Sequence, residues 1–364
     1  MGREERKLYY ESRHGEYPSQ IWFGDKKYVK KQDLRYGENP HQTAVFYVLE
    51  NARGASVATA KVVQKGRKDL SLINITDANT AFSIVQELGD DKVAVAAPVK
   101  HSTPSGVGFS DNNDIVEAFF RAKETDPQSI FGCFLGLNRQ VDERVAEAIL
   151  ADNLFLEGII APSCTREALE IFKKKRRDLR VLVTGDMTRP DGDTHEIISV
   201  SNGILIQEKY RTRIRSTNNL EVITKRKPTK DELLGLLRMW GVCGFVHSNA
   251  VVLGNANQTI GIGAGQMSRI ASTRIAIYNA NHIYKNGRGS SKGSVMASDA
   301  FFPFPDSVEL AAQNGVTAVV FPLGSVNDDE VIDVLNENDM AGVCTRPDPI
   351  NNPNEIERAF SGHK

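Results

Sequence analysis

Lys100 and His101 stand side by side where the apolar run KVAVAAPVK (92–100) gives way to HSTPSGVG. The run reads as a buried strand, which puts both side chains at its carboxyl end, ahead of a Pro/Gly turn, where open α/β sheets bind ligands. An imidazole that titrates near neutrality can take a proton, and a lysine ammonium is a compact charge for a developing oxyanion. The pair therefore suits acyl transfer to an amine. Taken alone, a Lys-His dipeptide is more often an exposed polar turn.

Three other segments carry residue types with chemical uses. NQTIGIGAGQMSRIASTRIAIY (257–278) joins a β-branched strand to a loop in which Gly261, Gly263 and Gly265 alternate, then to a helix with Ser268 and Arg269 at its start. Glycines admit close backbone approach and a helix N-terminus attracts anions, but the spacing matches neither the Walker nor the dinucleotide pattern. A tight turn made for packing explains it equally well. LRYGENPHQ (34–42) offers a cation and an aromatic, Arg35 and Tyr36, in a polar turn suited to a phosphate and a base. SDAFFPFPDS (298–307) sets three Phe and two Pro between Asp299 and Asp306. Its alternatives are a hydrophobic staple ahead of a helix and a wall for a flat heterocycle.

The elements that must position these residues alternate short apolar runs with longer amphipathic ones, the pattern of an α/β protein. GVTAVVFP (315–322) reads as a second buried strand. DNNDIVEAFFRAKE (111–124) reads as a helix behind an Asp/Asn start, and SVELAAQNG (307–315) as one capped by Ser307 and stopped at Gly315. The turn-rich stretch 186–203 and the basic stretch 211–230, broken by Pro228, place a boundary between two domains, 1–215 and 216–364. The Gly/Ser/Lys-rich segment 280–294 is a lid or a connector.

Composition excludes several classes. With 45 Lys and Arg against 46 Asp and Glu in 364 residues, the net charge of −1 gives no general grip on nucleic acid or on an anionic membrane, so a bound phosphate must be held locally. Cys133, Cys164, Cys243 and Cys344 form no C-x-x-C pair, which argues against a zinc cluster and for four small buried hydrophobes. The charged start MGREERKLYY carries Arg6 where a myristoylation signal needs Ser or Thr, and no apolar run is long enough to span a bilayer; a cytoplasmic location is expected.

RYGENPHQ, VKHSTPSGVG, SNAVVLG, NQTIGIGAGQMSR and GSVMASDAFFPF, in this order, resemble one family, the 5-aminoimidazole-4-carboxamide ribonucleotide (AICAR) formyltransferases, usually the C-terminal part of a bifunctional purine biosynthesis protein. The likeness runs from about Arg35 to about Cys344. It implies two tandem cytidine deaminase-like α/β/α domains and a homodimer whose active sites are shared between subunits. It further implies transfer of the formyl group of 10-formyltetrahydrofolate to the 5-amino group of AICAR, without a catalytic metal; the H-x-E and P-C-x-x-C zinc signature of true deaminases is missing. A structural potassium ion is compatible with the family.

By that resemblance His101 takes the proton from the amine and Lys100 steadies the oxyanion. Arg35, Tyr36, Asn74, His101, Gly132, Glu157, Asn249, Arg269 and Phe301 would contact the nucleotide, with Glu157 standing where some members have Asp. Ile270, Asp306, Ser325 and Val326 would contact the folate. Only about 34 residues precede the first motif, so a fused cyclohydrolase domain and its activity are not expected. The tail CTRPDPINNPNEIERAFSGHK differs from the family's aromatic and His-rich ending, leaving Arg346 as a shifted substitute for a nucleotide-binding Arg. Two other readings stay open: a different one-carbon donor, and a catalytically silent nucleotide-binding homologue on the same fold.

Overall fold

The computed structural model describes residues 15–187, 195–209, 214 and 216–345. Arg346, the tail after it, and the centre of the turn-rich stretch lie outside the described residues. The chain opens with β1 (Gln20–Phe23), β2 (Lys26–Leu34), β3 (Ala44–Leu49), β4 (Lys61–Gln64) and α1 (Leu72–Leu88). Next come β5 (Ala94–Lys100), β6 (Thr103–Pro104), β7 (Gly108–Ser110), α2 (Ile115–Thr125), β8 (Phe134–Leu137), α3 (Glu143–Leu150), β9 (Gly158–Ala161), α4 (Arg166–Lys175) and β10 (Arg180–Val183). The hairpin β11 (His195–Val200) and β12 (Gly203–Glu208) leads to β13 (Leu220–Val222), α5 (Lys230–Cys243), β14 (Val251–Gly254) and β15 (Thr259–Gly263). The chain ends in α6 (Arg269–Tyr278), β16 (Val295–Ser298), α7 (Asp306–Gln313), β17 (Ala318–Phe321), α8 (Asp328–Glu337) and β18 (Ala341–Thr345). The α/β class read from the sequence is the class observed.

Contacts divide these elements into two compact units. Among the described residues, 15–86, Pro98–Ser102 and 131–187 make the first; 87–97, 103–130 and those from 195 to 345 make the second. In the first, strands run in the order β4-β10-β9-β8, with β8, β9 and β10 parallel and β4 antiparallel to β10. Every residue of β8 and β9 is buried, as befits parallel strands covered on both faces. In the second, the order is β13-β18-β17-β16-β14-β15, parallel at β16-β17-β18.

The two apolar runs read as strands contain strands, 94–100 filling most of the first and 318–321 only half of the second. Helix α2 starts after Asp114, whose carboxylate accepts the Val116 N–H at 2.9 Å, one of the orphan donors of a helix start. Helix α7 departs from expectation. It begins one residue before Ser307, at Asp306, because the Pro305 carbonyl already accepts the Val308 and Glu309 N–H groups; Ser307 sits buried inside it rather than capping it. The segment 280–294 is exposed over much of its length but anchored at Ser291, which is buried, its hydroxyl bonded to Asn281 and to the Asn314 carbonyl.

The glycine alternation is also not a loop. Gly261 and Gly263 lie in β15, and a Cβ on either would collide with backbone carbonyls of α6, at Ala276 and Ser272. Their absence of side chain lets α6 lie directly on the strand, and only Gly265, at φ +67°, turns the chain toward the helix start. Cys133, Cys243 and Cys344 are buried and Cys164 half-buried. Burial pushes the Cys164 thiol up to about 11.

Helix α5 is tied down at its start by a capping box, Thr229 and Glu232 exchanging hydrogen bonds with each other's backbone. Arg226 grips the Glu232 carboxylate with both terminal nitrogens, at 3.1 and 2.8 Å. Burial alone would raise the Glu232 carboxyl, but the bonds from Arg226, Thr317 and the Thr229 N–H, with the Arg226 charge, bring it down to about 2. A carboxyl depressed in the folded state lends stability above its unfolded pKa and loses it as pH falls through the folded one. Glu232→Gln is therefore expected to cost about 2 kcal/mol at pH 7, and the gap to the parent, followed by urea unfolding, to close between about pH 4.5 and 2. A gap independent of pH would mean that the ion pair is not its source.

Candidate functional site

In the first unit the chain turns sharply where β5 ends. His101 and Ser102 both take left-handed backbone, φ 54° and 57°, a region sparsely used by residues with a side chain. The Lys100 ammonium is drawn over the following loop, donating to the Phe131 carbonyl at 3.0 Å. Gly132, itself at φ +82°, lies beneath, and a Cβ there would stand 3.9 Å from that ammonium. The Gly132 N–H donates to Phe155 O and the Glu157 N–H to Cys133 O, so the loops before β8 and β9 are laced together. His101 is exposed.

Arg35 and Tyr36 follow β2. The guanidinium stacks on the neighbouring ring, 4.5 Å from its centroid, and donates to the Tyr36 hydroxyl at 2.8 Å. The Arg35 N–H and Tyr36 carbonyl bond to Leu70 and Leu72, bringing this turn to the start of α1. There Ser71 and Asn74 exchange hydrogen bonds, the Asn74 carbonyl oxygen accepting Ser71 N–H at 3.1 Å. Arg35 is 8% exposed, and its Nε is buried without a hydrogen-bond partner.

Two residues that the sequence did not single out complete this group. Asp77, one turn along α1 from Asn74 and 4% exposed, accepts the Ser102 N–H at 2.7 Å. Burial pushes its carboxyl above the usual range, against the pull of the Ser102 and His101 N–H groups. Arg180, at the start of β10, binds Glu157 Oε2 at 2.5 Å and reaches the Lys68 carbonyl at 2.9 Å. Burial lowers its pKa, with Glu157 opposing and the Arg35 charge assisting. Neither had a local signal: an Asp inside LINITDANTAF and an Arg opening a strand look like ordinary helix and sheet residues. Arg35, Tyr36, Asn74, Lys100, His101, Gly132 and Glu157 are thus interlinked in one unit.

The second unit gathers another set. Asn249, Arg269, Ile270, Phe301 and Asp306 line a cavity of about 430 Å³ together with Met267, Phe304 and Pro303. Arg269 opens α6 and is 8% exposed. Its guanidinium is held by Asp299, by Ser298 Oγ at 2.8 Å and by Asn249 Oδ1 at 2.7 Å. Asp299 is fully buried and accepts the Ser248 hydroxyl as well, at 2.5 Å. Its place at the end of β16, just ahead of the aromatic run, was the available sign of this role. Phe302 buries itself against Phe321, ring centroids 5.0 Å apart, which leaves Phe301 half-buried and Phe304 exposed on the cavity. Asp306 is exposed, and its Oδ1 accepts the Ser307 N–H at 2.7 Å. Ser325 and Val326 do not line the cavity: they stand on the loop before α8, Val326 wholly exposed, though Asn327 in that loop donates to Pro303 O at 2.6 Å.

A family model described as the AICARFT/IMPCHase bienzyme matches residues 8–279. The chain belongs to that family. Bifunctional purine biosynthesis protein PurH of Anoxybacillus flavithermus is 45% identical over 318 residues, 87% of this chain and 58% of its own length. PurH of Bacillus cytotoxicus matches with the same figures. The chain therefore spans somewhat more than half the length of these relatives. Among the described residues of this AICARFT/IMPCHase family member, no helix is long and apolar enough to cross a membrane.

The Glu157–Arg180 pair makes a prediction about stability. Arg180→Met leaves a carboxylate and two carbonyls without their donor, at an expected cost of about 2–4 kcal/mol in urea unfolding. A variant as stable as the parent would show that the pair is dispensable to the unit.

Proposed function

We propose that the chain is an AICAR formyltransferase acting with 10-formyltetrahydrofolate, on two cytidine deaminase-like units. The observation that carries this reading is the placement of Lys100 and His101 at the carboxyl end of β5, with the imidazole exposed on a left-handed turn and the ammonium directed over Gly132. The amine of AICAR is conjugated with its ring and is a poor nucleophile, so attack on the formyl carbon needs both a base and a cation for the oxygen. In this reading the neutral His101 takes the amine proton as the C–N bond forms. Lys100 balances the charge on the formyl oxygen, and the proton returns to the folate nitrogen as the C–N bond to it breaks.

Arg35 and Tyr36 suit the nucleotide: a buried guanidinium with an unpartnered Nε can take phosphate, and the ring offers a face. Asn74, Gly132 and Glu157 extend that set, and Asn249, Arg269 and Phe301 are proposed as further nucleotide contacts. The folate is assigned to the cavity with Ile270, the aromatic rings and Asp306, whose exposed carboxylate can accept from a pterin edge; Ser325 and Val326 would contact it from the adjoining loop. A homodimer with shared sites belongs to the same proposal.

Steady-state turnover of AICAR with 10-formyltetrahydrofolate is expected, and His101→Ala is expected to lower kcat by a factor on the order of 10² to 10⁴ with nucleotide affinity by calorimetry little changed. Near-normal turnover in the variant would remove His101 from the role of base, and formylation only with another donor would refute the folate assignment. Light scattering is expected to show a dimer; full activity as a monomer would exclude a shared site.

A further inference from the structure

Two consecutive left-handed residues with side chains, His101 and Ser102, persist only where the surroundings over-determine them. Their N–H groups turn to one acceptor, Asp77. The Ser102 N–H donates to its Oδ1 at 2.7 Å, and the His101 N–H makes a second hydrogen bond to the same side chain. An ionised carboxylate is acceptor-only, so it receives two such donors without presenting one of its own. Asp77 is 4% exposed in a helix, which gives it little freedom to follow if the turn moves.

We propose that Asp77 is a positioning residue for the Lys100–His101 pair, its buried carboxylate holding the turn in the conformation that aims the His101 imidazole at the reacting amine. The role rests on the formyl-transfer reading. Asp77 does not touch the substrate; it acts through the backbone of the residue that does. The charged groups it senses are His101, which favours its ionised form, and Glu157, which opposes it. Burial makes this an expensive place for a carboxylate, an expense that an ordinary helix position would avoid by carrying an apolar residue.

The primary variant is Asp77→Asn, which keeps the volume but replaces one acceptor oxygen by an N–H donor. It is expected to lower kcat on the order of 10- to 100-fold while KM for the nucleotide and the melting temperature stay close to the parent's, since a misplacement of about 1 Å is enough for such a loss. The ¹⁵N resonances of the His101 and Ser102 amides are expected to move in the same variant. Near-parental kcat, unmoved resonances, or kcat and KM collapsing together with the melting transition would each overturn the proposal. A measurement on the unaltered protein stands apart from any folding defect: the Ser102 amide is expected to exchange at least about tenfold more slowly than a free one, and unprotected exchange would refute the hydrogen bond. The amide readouts do not depend on the reaction. If His101→Ala keeps its turnover, formyl transfer by this pair fails while the resonances still report whether Asp77 holds the turn.

Discussion

A carboxylate shut away from water has to find its hydrogen bonds in the protein, and the first unit is organised round one that does. The donors Asp77 finds are the Ser102 and His101 backbone N–H groups, which a strand or helix would have used for itself. They are available because β5 stops at Lys100 and the chain reverses through two left-handed residues. The same reversal leaves the Lys100 side chain reaching across to the Phe131 carbonyl rather than out along the strand. Strand end, strained turn and helix α1 are therefore one mechanical object.

The second unit solves the corresponding problem with charge. Arg269 and Asp299 are both buried, and each is satisfied, the guanidinium by Ser298 and Asn249 and the carboxylate by Ser248. Such a pair is costly to desolvate and gains little net stability, but it sets the directions of its members firmly. Asn249, at the loop before β14, is held on both sides, its Oδ1 by Arg269 and its amide on the Gln266 carbonyl at 2.8 Å. The glycines of β15 contribute by letting α6 descend far enough for Arg269 to reach inward.

Much of this was legible from residue order. Apolar runs bounded by turn formers marked β5 and β17, and the Lys-His pair was recognisable because its neighbours placed it at a strand's carboxyl end. What could not be read were the partners. Asp77 lies 25 residues from Ser102, Arg180 lies 23 from Glu157 and Asp299 lies 30 from Arg269, and no periodicity links such positions. The Gly261-x-Gly263 alternation misled for a physical reason: the same absence of a Cβ serves a ligand loop and a strand pressed under a helix. Ser307 misled because a preceding Pro carbonyl can start a helix without a side-chain cap.

The thiols bear on how this protein can be observed. Three of the four cysteines are buried, and the fourth, Cys164, holds its proton up to about pH 11. Alkylating and maleimide dyes attack the thiolate, which at neutral pH is scarce at such a site. The native chain is thus close to silent toward them. A single cysteine introduced at the fully exposed Val326, in the loop that Asn327 ties to Pro303, would carry a fluorophore there with little background.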